Sequence, residues 1–185
     1  MENIEELVKK VNKINNIDLN DIPDIDLYMD QVIQLFDNKL EGLKRKEDDK
    51  ILTKTMINNY VKGKLLMPVK KKKYSKEHIL LVSLIYELKG ILSINDIQKL
   101  LEPMVEDIEN GRNNLDLEGV YNNINNIRVK QVDEFEEEII NYSKELDSME
   151  FKDEYEKNLA LSVVLATKAN LYRRLSEEIV ERLNK

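Results

Sequence analysis

The chain has 185 residues, no cysteine and a single histidine, His78, which excludes a disulfide framework, a thiolate nucleophile and a two-histidine metal site. Its 29 basic and 36 acidic side chains leave a net charge of −7, and 42% apolar residues suffice for a core of ordinary size. Five glycines and three prolines are too few for an all-β sandwich with many tight turns.

The acidic, amphipathic start lacks the basic region of a secretory signal, and no stretch approaches the ~18 apolar residues of a membrane span. A soluble cytoplasmic protein without membrane contact is expected. From Glu2 to Ile14, Ile4, Leu7, Val8, Val11 and Ile14 fall at helical spacing and predict a short amphipathic helix. Asn15–Asp21 breaks it. Pro23 with Asp24 and Asp26 reads as the start of a second helix running to about Lys44, with Leu27, Val32, Leu35, Phe36, Leu40 and Leu43 inward.

After a charged connector, Thr53 offers a hydroxyl cap to a helix from about Lys54 to Lys62, held inward by Met56, Ile57, Tyr60 and Val61. Gly63 fits the left-handed position that often ends a helix. Leu65–Val69 and Lys71–Tyr74 read as a tiny hairpin, which Pro68 confines to an edge. Ser75 and Ser93 cap two further helices, Lys76–Lys89 and Ile94–Glu109, with Pro103 expected to kink or split the second. His78 is expected on the outer face of its helix.

Asn110–Asp116 is a loop by composition. Leu117–Leu146 follows as a long helix with the stripe Val120, Ile124, Ile127, Gln131, Phe135, Ile139, Tyr142 and Leu146. The last helix runs from Asp153 to about Leu183. Its segment LALSVVLA is apolar on nearly all sides, so it is expected to be buried on several faces or shared with a partner. The domain boundaries that follow are an N-terminal helix at 1–22, a winged helix-turn-helix module at 23–110, and a helical dimerisation or effector region at 111–185.

Charge is distributed unevenly. Lys50–Lys76 holds nine lysines and no acid, whereas Glu102–Glu150 holds fourteen acids and four bases. A compact basic island on a capped helix and a ribbon suits a groove-reading element, and the acidic remainder should face away from DNA. With Ile57 and Tyr60 inward, the helix presents Lys54, Thr55, Asn58, Asn59 and Lys62. Asparagine pairs bidentately with adenine in the major groove, and lysine reaches guanine or phosphate. Lys64 and the ribbon lysines Lys70, Lys71, Lys72 and Lys73 would grip the adjacent backbone, with Tyr74 beneath them lending its hydroxyl to a phosphate.

These residues carry two resemblances. Thr53, Ile57, Tyr60, Leu65, Leu66 and Pro68, followed by Tyr74, Ser75, Glu77 and Ser93, resemble the mercury-resistance-regulator (MerR) type of winged helix-turn-helix protein over roughly Leu27–Leu101. Asn58 stands where that family has arginine, and the wing is about four residues shorter. LYMDQV, LTKTMINNYV and KKKYSKEHI resemble more closely a bacterial family, the eighteen-thirty-six domain of unknown function. The first resemblance implies a MerR-like fold and dimerisation through C-terminal helices.

The acidic run DEFEEE lacks the alternating ligands and glycine of a calcium loop, and no nucleophile or phosphate-loop motif is visible. No enzyme, no cofactor and no metal site is expected. The expected fold class is all-α, mainly helical, with a small β-ribbon wing and long C-terminal helices. The expected function is a sequence-specific regulator that binds double-stranded DNA as a homodimer through its C-terminal helices, with an unidentified small-molecule effector. The alternative is a helical protein–protein interaction module that keeps the fold without specific DNA reading.

Overall fold

The computed structural model describes residues 4–11, 16–112 and 114–183; the expected helix residues Glu2 and Ile14 and the loop residue Asn113 lie outside them. The fold is mainly helical with one small antiparallel sheet: α1 (Ile4–Val11), β1 (Leu27–Tyr28), α2 (Met29–Lys39), α3 (Lys54–Lys62), β2 (Lys73–Tyr74), α4 (Lys76–Leu88), α5 (Ile94–Glu109), α6 (Leu117–Asp147) and α7 (Glu154–Leu183). The chain forms two compact units. One takes Asn15–Asn125 with Ile179–Lys185, the other Met1–Ile14 with Asn126–Glu178.

The first unit is built around α4. From His78 to Ile85 every residue of that helix is buried, so it packs on all sides rather than on one stripe. Val32 and Phe36 of α2, Ile57 and Tyr60 of α3, Ile97, Leu101 and Val105 of α5, and Leu117 and Tyr121 of α6 share one core with it. Buried polar groups in this core are paired. The Tyr121 hydroxyl donates to the Ile17 carbonyl at 2.6 Å and lies 2.7 Å from Ser83 Oγ. Asp107 is buried and accepts from the amides of Asn114 and Leu115 at 2.8 and 2.9 Å, fixing the entry to α6.

Several expectations need correction. The second helix begins at Met29, not near Pro23, because Leu27–Tyr28 is drawn into the sheet; the Gln31 side chain accepts the Tyr28 amide at 2.8 Å and marks the true start. It ends at Lys39, and Leu43 is exposed. α5 passes through Pro103 as a single helix. In α6, Val120, Ile127 and Gln131 point outward, and the inward row of this unit is Leu117, Tyr121 and Ile124.

In the second unit Ile139 and Leu146 of α6, Leu161 of α7 and Val8 of α1 are buried, and Val8, Phe135, Ile139 and Leu161 line one cavity. Lys157 pairs with Asp147 and Lys168 with Glu138, joining the two helices along their length. LALSVVLA is not enclosed: only Leu161 is buried, Leu165 is half-buried, and Leu159, Val163 and Val164 are exposed. Among the described residues, no helix is long and apolar enough to cross a membrane.

Candidate nucleic-acid interface

Helix α3 forms where the sequence predicts it and for the predicted reason. Thr53 is extended and its Oγ1 accepts the Met56 amide at 3.2 Å, satisfying one of the free donors of the first turn. Ile57 and Tyr60 are buried, and burial raises the pKa of the Tyr60 phenol. Lys54, Thr55, Asn58, Asn59 and Lys62 are therefore presented together to solvent.

The helix ends in a different residue from the one expected. Gly63 has φ −79°, and Lys64 takes the left-handed conformation at φ 57°. Leu65 N–H donates to Tyr60 O at 2.9 Å and Lys64 N–H to Val61 O at 3.1 Å, the paired bonds of a Schellman ending. A Cβ at Gly63 would meet the Asn59 carbonyl at 3.1 Å, a close approach that a larger residue would have to relieve by a few tenths of an ångström.

The wing also differs from its prediction. Leu65–Val69 does not form a strand. Lys70 bridges to Lys73 across a two-residue turn, closed by Lys73 N–H donating to Lys70 O at 3.0 Å, and β2 pairs with the distant β1 in the register Leu27↔Tyr74 and Tyr28↔Lys73. Lys71 and Lys72 occupy the central positions with φ 51° and 61°. Such a turn selects Asn-Gly or similar pairs, because both central residues must be left-handed. Among the described residues, the three non-glycine residues at positive φ are Lys64, Lys71 and Lys72.

Beneath the turn lies His78, buried with 7% of its surface exposed rather than placed on the outer face. Its Nδ1 accepts the Ser75 amide at 3.2 Å, the role a glutamate plays in a capping box, and Nε2 lies 3.2 Å from the Met67 carbonyl. A neutral imidazole with its proton on Nε2 satisfies both bonds. Burial lowers its pKa, opposed by the Met67 carbonyl and the carboxylates of Glu77 and Asp26. Tyr74 packs edge-on against His78 at 5.7 Å and its residue surface is only 3% exposed.

The structure thus brings Lys54, Thr55, Asn58, Asn59 and Lys62 onto one helix face, with Lys64, Lys70–Lys73 and Tyr74 on the chain that follows. Two further residues border this basic run, and of them Asp30 went unremarked in the sequence. Tyr28 of β1 sits opposite Lys73, whose ammonium lies 5.4 Å from the ring centre, and Asp30 of α2 holds Lys54 at 2.7 Å. The LYMD run carried the signal: an aromatic residue one strand away from the lysine turn, then an acid at a helix start. Among the described residues, Lys62, Lys64 and Lys70–Lys73 enter no ion pair, and no group of acids and histidine is arranged to hold a metal ion.

A family model described as "Domain of unknown function (DUF1836)" matches residues 17–124. The chain belongs to that family. The family resemblance read from LYMDQV, LTKTMINNYV and KKKYSKEHI is borne out, and the DUF1836 match runs from the core residue Ile17 into α6, enclosing the whole basic island. No curated protein and no solved structure matches the chain. The description of the DUF1836 family assigns no activity, so a functional reading has to come from the geometry of α3 and the lysine turn.

Proposed function

We propose that this protein is a transcriptional regulator of MerR-like winged type that binds double-stranded DNA in the cytoplasm as a dimer. α3 enters the major groove, where Asn58 and Asn59 meet base edges and Lys54 and Lys62 reach guanine or phosphate. Lys64 and the Lys70–Lys73 turn lie on the neighbouring backbone. The observation that carries the reading is the concentration of left-handed, non-glycine backbone in three lysines, Lys64, Lys71 and Lys72, beside an exposed polar helix face. Like-charge crowding persists where an interaction compensates it, and a row of phosphates is the ligand that neutralises these ammonium groups.

The test is duplex binding measured against salt. Affinity should fall with a log–log slope of roughly −0.9 per phosphate neutralised. Selection of bound fragments from genomic DNA would identify the operator. A chain that binds no duplex at low salt refutes the proposal.

Two observations favour a second reading, a helical interaction module. Residues 40–53 separate α2 from α3, far more than the roughly 3–4 residues of a helix-turn-helix turn, and Asp30 neutralises the first lysine of α3. A protein partner retained after mutation of Lys70–Lys73, by a chain indifferent to duplex sequence, would support that reading.

A further inference from the structure

The second unit holds a cavity of about 990 Å³ bounded by α1, α6 and α7. Small-molecule sites occupy roughly 300–1,000 Å³, so this one has room for a sizeable ligand. Every residue that lines it falls within 4–11 or 135–165, wholly outside residues 17–124 of the family match. It shares no residue with α3 or the lysine turn.

The lining changes character along its length. α6 contributes Phe135, Ile139, Ser143 and Asp147 at successive turns, apolar at the start and charged at the end. α7 runs back beside it in a register set by the Lys157–Asp147 and Lys168–Glu138 pairs. That register brings Leu165 near the level of Ile139, Ser162 near that of Ser143, and Asn158 near that of Asp147. Phe135 and Asp147 are twelve residues apart on one helix, a rise of roughly 18 Å. From α1 come only apolar side chains, of which Leu7 and Val11 remain 40% and 69% exposed.

We infer that this cavity binds a single-chain amphiphile with a cationic head, a long-chain alkylammonium, laid along α6 and α7. The inference goes beyond the proposed function and stands without DNA. A slot of this length, apolar at one end and charged at the other, fits a linear chain better than a compact ring system. The tail lies against Phe135, Ile139 and Leu165, and it covers the apolar surface that Leu7 and Val11 leave in water. Ser143 and Ser162 are small and keep the passage open at mid-length.

Charge chooses the head. Residues 147–157, at the polar end, hold five acids and two lysines. Lys157 is engaged by Asp147, and Glu154, which also lines the cavity, enters no ion pair among the described residues. An ammonium is attracted to that end and a carboxylate is repelled from it. Glu154 is the residue that receives the head.

The experiment is calorimetric titration of the full chain, without DNA and at neutral pH, with dodecylamine below its micelle concentration. One molecule should bind per chain. Octylamine, four methylenes shorter, should bind on the order of a hundredfold more weakly. Dodecanoate, with an equally long chain and the opposite charge, should bind roughly tenfold more weakly. Ser162→Trp fills the passage from an exposed helix position and should abolish binding, whereas Val163→Trp, exposed and outside the lining, should bind as wild type does. Glu154→Gln should weaken dodecylamine about two- to fivefold and leave dodecanol unchanged. Circular dichroism should show the same helicity in all three variants. Many molecules bound per chain, an affinity indifferent to chain length, or a Ser162→Trp chain that binds as wild type overturns the inference. Dodecanoate binding as tightly as dodecylamine overturns it too, because the head would then go unread. None of these outcomes bears on duplex binding, so the DNA reading keeps its own test.

Discussion

Replacing Lys71 and Lys72 by Asn and Gly should make the protein more stable and a weaker ligand for DNA. Both lysines hold left-handed backbone, φ 51° and 61°, in a two-residue turn whose preferred occupants are Asn-Gly. An L side chain in that region costs roughly 1–2 kcal/mol, part of which glycine returns as unfolded-chain entropy. The net gain for the pair is about 1–2 kcal/mol, which for a chain of this size raises Tm by about 3–6 °C. Relief of repulsion among four adjacent ammonium groups adds to this in dilute buffer. Thermal unfolding in about 1 M salt, where the screening length falls to about 3 Å, isolates the backbone part. Duplex affinity should drop, and its salt slope should shrink by about 1.8 if each lost lysine neutralises one phosphate. An unchanged or lower Tm in high salt refutes the strain argument. An unchanged salt slope refutes phosphate contact by the turn.

Other substitutions separate the parts of the site. Asn58→Ala with Asn59→Ala should cost about 1–3 kcal/mol of discrimination per lost base contact while leaving the salt slope alone, read by competition between operator and random duplex. Thr53→Ala should destabilise α3 by about 1 kcal/mol in urea titration, with Thr53→Ser restoring most of it. Asp107→Ala removes the charged acceptor of the Asn114 and Leu115 amides and should cost about 1–3 kcal/mol in the same assay. For His78 the folded pKa lies below the ordinary 6.5, so the unfolded chain binds the proton more tightly. Stability is then complete above pH 6.5 and is lost as pH falls below it. Unfolding free energies at pH 7.5 and 5.5 should differ in wild type, and the difference should narrow in His78→Gln.

Much of this fold is written locally, and what is written locally was legible. Thr53, Ile57 and Tyr60 define the start and inner face of α3 within eight residues, and Ser93 with Asp96 does the same for α5. The errors arise where a distant partner decides. Leu27–Tyr28 looks like the beginning of a helix until Lys73–Tyr74 arrives to pair with it, and that pairing also displaces the expected hairpin. His78 looks like a surface residue because no periodicity marks it in a helix that is apolar on every side. Its burial follows from the Met67 carbonyl, which the chain brings near from eleven residues away. Pattern alone also cannot tell a helix buried on all sides from one left bare: α4 and the middle of α7 are equally apolar and differ completely in what covers them.

The pairing of β2 with β1, and not the turn at Lys71 and Lys72, sets which side chains of this strand face inward, and this restricts how the site can change. β2 is only two residues long, and its register sets Tyr74 against Leu27 with its side chain inward while Lys73 faces Tyr28. One residue inserted within β2 would reverse that alternation and turn Tyr74 outward, whereas one inserted between Lys70 and Lys73 would only lengthen the turn. Extra charge can therefore enter by substitution or by lengthening of the turn but not within the strand, so related chains that keep the pairing should hold β2 constant and vary before it.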